Sequence, residues 1–167
     1  MKFMQMRKHK QKGVAAVEMA LVLIPLLLLC FVITELGRAL YQYNGLVKAT
    51  RGAARYLSQQ SLESPPIGET ADTIRLKARS IALCGAPSCN GRAALVTGLT
   101  LAMISACDSA ACTGTHFNVA TGAGAVSLVS VRVGAEDAKF SYISAVPWAV
   151  PDIQFGAIGM TMASNTN

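Results

Sequence analysis

From residue 14 to residue 33 the chain is almost continuously apolar, with one charge, Glu18, and one helix breaker, Pro25. Twenty residues rising about 1.5 Å each span about 30 Å, the hydrocarbon thickness of a bilayer, so this run predicts one membrane-crossing helix. The pattern then changes without stopping. Leu36, Leu40, Tyr43, Val47, Thr50, Ala54 and Leu57 recur at alternating steps of four and three, a helical stripe with a heptad rhythm. One helix is therefore expected from residue 14 to about residue 60, ahead of Pro65-Pro66, its stripe covered either by the protein's own domain or by other helices.

A second helix is expected over 70–83, where Ala71, Ile74, Ala78, Ile81 and Ala82 share a face and Gly85 offers a stop. Beyond it, β-branched and aromatic residues bounded by Gly, Asp, Ser or Pro predict strands at 95–104, 125–133, 140–145 and 153–162. Trp148, between Pro147 and Pro151, reads as the apolar anchor of a connector. Helices first and strands later indicate an α+β fold, a long amino-terminal helix continuing outside the membrane and packed on a small antiparallel sheet.

Charge sharpens the membrane reading. The net charge is +6, but Lys2, Arg7, Lys8, Lys10 and Lys12 all precede the apolar run, and the remainder holds ten basic against nine acidic residues. Such a cluster could be a nucleic-acid arm, yet it abuts the hydrophobic run directly, which fits a cytoplasmic flank and argues against nucleic acid. Within fifteen residues after Ile33 only Arg38 and Lys48 are basic, so the amino end stays inside. A conventional cleaved signal would have a shorter apolar stretch and a small-x-small site, whereas Thr34-Glu35-Leu36-Gly37-Arg38 follows here. A buried helix of a soluble protein would show a polar face, and this run has none.

A carboxylate within an apolar helix costs about 2.5–3.5 kcal/mol at mid-membrane and less near the interface, so Glu18 calls for a use. It lies five residues after Gly13, in Gly13-Val14-Ala15-Ala16-Val17-Glu18. Together with the lysines before it, this arrangement resembles the prepilin class, and specifically the TadE-like pseudopilins of tight-adherence (Flp, type IVb) pilus systems. Glu35-Leu36-Gly37-Arg38-Ala39-Leu40-Tyr41 and Ala49-Thr50-Arg51-Gly52-Ala53-Ala54-Arg55-Tyr56 resemble the same family. Met19 departs from it, since the pattern prefers an aromatic residue there.

The resemblance implies a pilin-like fold and cleavage between Gly13 and Val14 by a membrane-embedded prepilin peptidase on the cytoplasmic face. It also implies that Glu18 neutralises the freed amino group of Val14 on a neighbouring subunit, an ion pair strengthened by the low dielectric and setting axial register. The expected partners are the membrane, the peptidase, other pilins or pseudopilins and pilus assembly proteins. Glu35 and Arg38, three apart, are expected on a solvated face at the membrane boundary, where such a pair contributes a few tenths of a kcal/mol.

Of five cysteines, Cys30 lies in the apolar run and the others form Cys84-x4-Cys89 and Cys107-x4-Cys112. An even number beyond the crossing, on an oxidising side, predicts two disulfides; local pairs are favoured among the three possible pairings. A four-thiolate zinc site is the rival reading. Catalysis is not expected: His116 near Cys112 and Asp108 invites a nucleophile–base pair, but paired cysteines are not nucleophiles, so His116 reads as an ordinary loop or strand residue. No small-molecule substrate, cofactor or metal is expected. The organisation expected is a basic cytoplasmic leader (1–13), a transmembrane helix (14–33), its extramembrane continuation (34–62) and an extracytoplasmic α+β domain (63–167). That places the chain in a bacterial inner membrane, single-pass, with the carboxyl-terminal domain periplasmic or extracellular. An uncleaved, membrane-anchored accessory or binding protein is the alternative.

Overall fold

The computed structural model describes residues 12–122, 124–134, 138–148 and 150–164. Lys2, Arg7, Lys8 and Lys10 of the basic leader lie outside the described residues.

One helix, α1 (Lys12–Ser58), runs through the apolar segment and the stripe beyond it. Pro25 sits inside it, as a proline can where the rest of the backbone ladder is intact. The helix tightens as it ends, Gln59 and Gln60 donating to the carbonyls of Tyr56 and Leu57. A second helix, α2 (Ala71–Cys84), starts at a reciprocal cap in which Thr70 and Thr73 each accept from the other's backbone N–H. It ends at Gly85, whose φ of +75° is the left-handed turn that glycine adopts without strain.

The strands are β1 (Ile104–Cys107), β2 (Val119–Thr121), β3 (Gly124–Val126), β4 (Leu128–Val133), β5 (Ser141–Tyr142), β6 (Ile153–Gln154) and β7 (Ile158–Ala163). A short helix, α3 (Thr113–His116), precedes β2. The principal sheet is antiparallel in the order β1-β4-β7, with Val131 opposite Ala106 on one side and Met160 on the other. Two small hairpin-like pairs, β2-β3 and β5-β6, complete the fold. Val129, Val131 and Val133 project from one face of β4 into a core shared with Leu46, Ala53 and Leu57 of α1 and Ile74, Ala78 and Ala82 of α2. The protein is α+β, and its long amino-terminal helix is built into the carboxyl-terminal domain over its second half.

Several local expectations are corrected. The region 95–104 is not a strand: Gly98 takes a φ of +85°, Leu99 N–H donates to the Val96 carbonyl, and both apolar side chains enter the core from a turn. Extended pairing begins only at Ile104. The region 125–133 divides between β3 and β4, and 153–162 divides between β6 and β7 at Phe155-Gly156-Ala157. That break lets Phe155 stack on Phe140, 5.8 Å between centroids. Of 140–145 only Ser141 and Tyr142 are strand. Trp148 is no anchor within the domain, being 70% exposed.

The stripe on α1 holds in its second half, where Thr50, Ala54 and Leu57 are buried and Val47 packs on the core, but it is rotated in its first. Leu36 and Leu40 are 52% and 55% exposed, while the buried face runs through Glu35, Ala39, Leu46, Ala49, Thr50, Ala53, Ala54 and Leu57. Small side chains at five of these positions let the sheet and α2 approach the helix axis, and bulk alone did not reveal them. At Gly45 an added Cβ would already meet Val96 at 3.5 Å, a sign of the same close approach.

Candidate functional site

Two carboxylates on α1 occupy opposite environments. At the amino end, Gly13 and Val14 lie in the first turn of the helix, and Glu18 follows in an exposed position. The Glu18 side chain makes no hydrogen bond or ion pair with another described residue. The apolar residues around it, among them Val17, Met19, Leu21 and Val22, are also exposed. A helix this long and apolar over its first half can cross a membrane once, and none of its apolar window is covered by the protein itself.

At the other end of the apolar run, Glu35 is only 4% exposed. This overturns the expectation of a solvated charge at the boundary. Its Oε2 accepts the Tyr142 hydroxyl at 2.5 Å, the Ala145 backbone N–H at 3.2 Å and the Ser144 hydroxyl at 3.4 Å. Its Oε1 accepts Arg38 Nη1 at 2.8 Å. The Arg38 guanidinium in turn lies 6.0 Å from the Tyr142 ring centroid. The buried carboxylate is thus met by four donors, which satisfies a group that would otherwise be costly to bury.

The electrostatics follow from this cage. The Tyr142 hydroxyl is the largest influence lowering the Glu35 pKa, with the Ala145 N–H and Arg38 adding to it against the opposing effect of burial. Burial, then the hydrogen bond to Glu35, raises the Tyr142 hydroxyl above its ordinary range. Chemically this is a clamp, because every donor serves to hold one ionised carboxylate. No sequence signal linked Glu35 to Tyr142, 107 positions away.

The family model described as TadE-like protein matches residues 13–55. The amino-terminal segment is TadE-like. No curated protein and no solved structure matched the chain. Gly13 to Glu18, 35–41 and nearly all of 49–56, the residues that carry the resemblance, fall inside the matched range. Glu35 and Arg38 belong to the TadE-like segment, whereas Tyr142, Ser144 and Ala145 come from the domain beyond it. The clamp therefore joins the TadE-like helix to the rest of the chain just above the apolar run.

The cysteines also lie outside the TadE-like segment. Cys84 is bonded to Cys89 and Cys107 to Cys112, with Cα atoms 5.8 and 5.7 Å apart. Cys30 is unpaired and exposed on the apolar part of α1. Sulfurs bonded in this way are not available as zinc thiolates. Inside the second loop, Asp108 is fully buried, its Oδ1 accepting the N–H groups of Ala110 and Ala111 and its Oδ2 lying 3.4 Å from Arg75 Nε.

His116 is not a loop or strand residue; it ends α3 and is buried. Its Nε2 is 2.7 Å from Ser130 Oγ and its Nδ1 2.7 Å from Thr115 Oγ1. Ser130 is itself buried on the central strand, so the pair offers no approach to a substrate and covers the second face of β4.

Proposed function

We propose that this chain is a minor pilin or pseudopilin of a tight-adherence (Flp, type IVb) pilus assembly or a related secretion system, structural in its role. The observation that carries the reading is the coincidence of the TadE-like match, which starts at Gly13, with a single helix that is bare and apolar first and part of a domain core afterwards. A helix of that kind needs an apolar solvent for its first half, and a bilayer or a bundle of like helices supplies it. In this reading the basic leader stays cytoplasmic, prepilin peptidase cuts between Gly13 and Val14, and Glu18 pairs with the freed Val14 amine of a neighbouring pilin. The disulfide-bridged domain faces the oxidising side of a bacterial inner membrane and meets pilins and assembly proteins there.

The alternative is a permanently anchored accessory protein that is never cut. The helical state of Gly13 favours it, because an extended backbone at the scissile bond requires the first turn to unwind. Sequencing the mature amino terminus from the native host, with and without prepilin peptidase, separates the two. A start at Val14 only when the peptidase is present is the expected result, and intact Met1 in both strains overturns processing. Glu18→Ala should leave membrane insertion unchanged and lower the recovery of assembled pili; full assembly by that variant removes Glu18 from the mechanism.

A further inference from the structure

Immediately beside the Glu35 clamp, the stretch 143–151 contains no charged residue: Ile143-Ser144-Ala145-Val146-Pro147-Trp148-Ala149-Val150-Pro151. Ile143 and Trp148 are each 70% exposed, although both are large apolar side chains in a domain that has a core to receive them. Backbone groups near them are hydrogen-bonded. Ser144 N–H donates to Asp152 Oδ1 at 3.1 Å, Val146 N–H to Ser144 Oγ at 3.1 Å, and Val150 N–H to the Val146 carbonyl at 3.0 Å.

The height of this loop is set by the clamp. Glu35 stands two residues beyond Ile33, about 3 Å along the helix axis. Ser144 and Ala145 bond directly to Glu35, so the start of the loop stands at that same level, with Trp148 three residues further on. The polar layer on each side of a bilayer's hydrocarbon core is about 5–8 Å thick, so a loop at this height lies within it. Tryptophan favours this layer, where its ring is partly apolar and its N–H finds a partner.

We propose that Ile143 and Trp148 form a second membrane contact, seated in the headgroup layer of the leaflet from which α1 emerges. The partner is the lipid surface itself. This inference rests on the reading that α1 crosses a membrane. Its consequence is mechanical: a helix held by one interfacial anchor on one side has its tilt and rotation set, and the outer domain is laid against the bilayer with the loop downward.

Trp148 is the only tryptophan in the chain, so the full-length protein reports on itself. It is placed at one chain per disc in phosphatidylcholine–phosphatidylglycerol nanodiscs, with and without lipids brominated near the headgroup end of the acyl chain. A control carries Leu28→Trp with Trp148→Phe. The expected result is a blue-shifted Trp148 emission, loss of intensity with the brominated lipids and protection from acrylamide, with the Leu28→Trp control quenched by deeper bromines. If the control is quenched but Trp148 is open to acrylamide and untouched by bromines, the proposal is overturned while the crossing stands. If the control is not quenched either, the crossing itself fails and the proposal with it. Shielding of Trp148 from both quenchers identifies a protein contact and also overturns it.

Discussion

Glu35 shows how far one side chain's role depends on partners remote in sequence. Read along the helix, it faces Arg38 as an ordinary i,i+3 surface pair; in space, Tyr142, the Ser144 hydroxyl and the Ala145 N–H close over it. Tyr142→Phe removes the shortest of these bonds and leaves the ring packed, so the domain should lose about 1.5–3 kcal/mol of stability, the range for a bond to a charged group. Urea unfolding of the protein in detergent, monitored by the far-ultraviolet helix and sheet signal, measures it. Burial, reinforced by the Arg132 charge and opposed by Asp108, lowers the His116 pKa. A base whose folded pKa is depressed stabilises the fold fully above its ordinary value of 6.5 and loses that contribution as pH falls toward the folded value. Stability should therefore drop on acidification below about pH 6.5, and His116→Gln should flatten that part of the profile. The Glu35 carboxylate, also depressed, adds its loss lower still, below its ordinary 4.5.

Helix α1 carries two kinds of apolar residue that look alike in the sequence. Leu46 is completely buried in the core with α2 and the sheet, and Leu40, six residues earlier, is half exposed. Truncating Leu46 to Ala leaves a cavity in the core and should cost about 2–5 kcal/mol, while Leu40→Ala should change stability by less than about 0.5 kcal/mol. Thermal unfolding of the two variants side by side distinguishes them. If α1 packs against other helices through its bare face, Leu40→Ala impairs assembly without touching the fold. The strands show the complementary lesson. Their β-branched and aromatic residues were readable in the sequence, but their ends depended on Gly98, whose positive φ turns the chain, and on the Phe155–Phe140 stack.

At the scale of the whole molecule, one continuous helix links an apolar anchor to a small domain whose core is modest and whose loops are stapled. Each bridge closes a loop between residues 5 apart in sequence. For a loop this short the chain-entropy estimate is about 2 kcal/mol per bridge. The intact protein should weigh about 4 Da less than its reduced form, two hydrogens per bridge. Reduction should lower the unfolding temperature without releasing metal, and stoichiometric zinc in the purified protein would contradict the bridged state.

The sequence by itself determined the length and bareness of the apolar run, the continuation of its helix, the TadE-like pattern from Gly13 and the α+β order of elements. These are local properties: a rise per residue, a period and a run of side-chain types within one segment. Only the tertiary structure decided which face of α1 is covered, that Glu35 is caged, and that His116 lies beneath α3 against β4. Those outcomes depend on residues such as Tyr142 and Ser130 brought together from distant positions. A helix presents several candidate faces of similar hydrophobicity, and the neighbour that packs most closely selects among them; here the small residues of α1 admitted the sheet and α2, turning Glu35 inward with them.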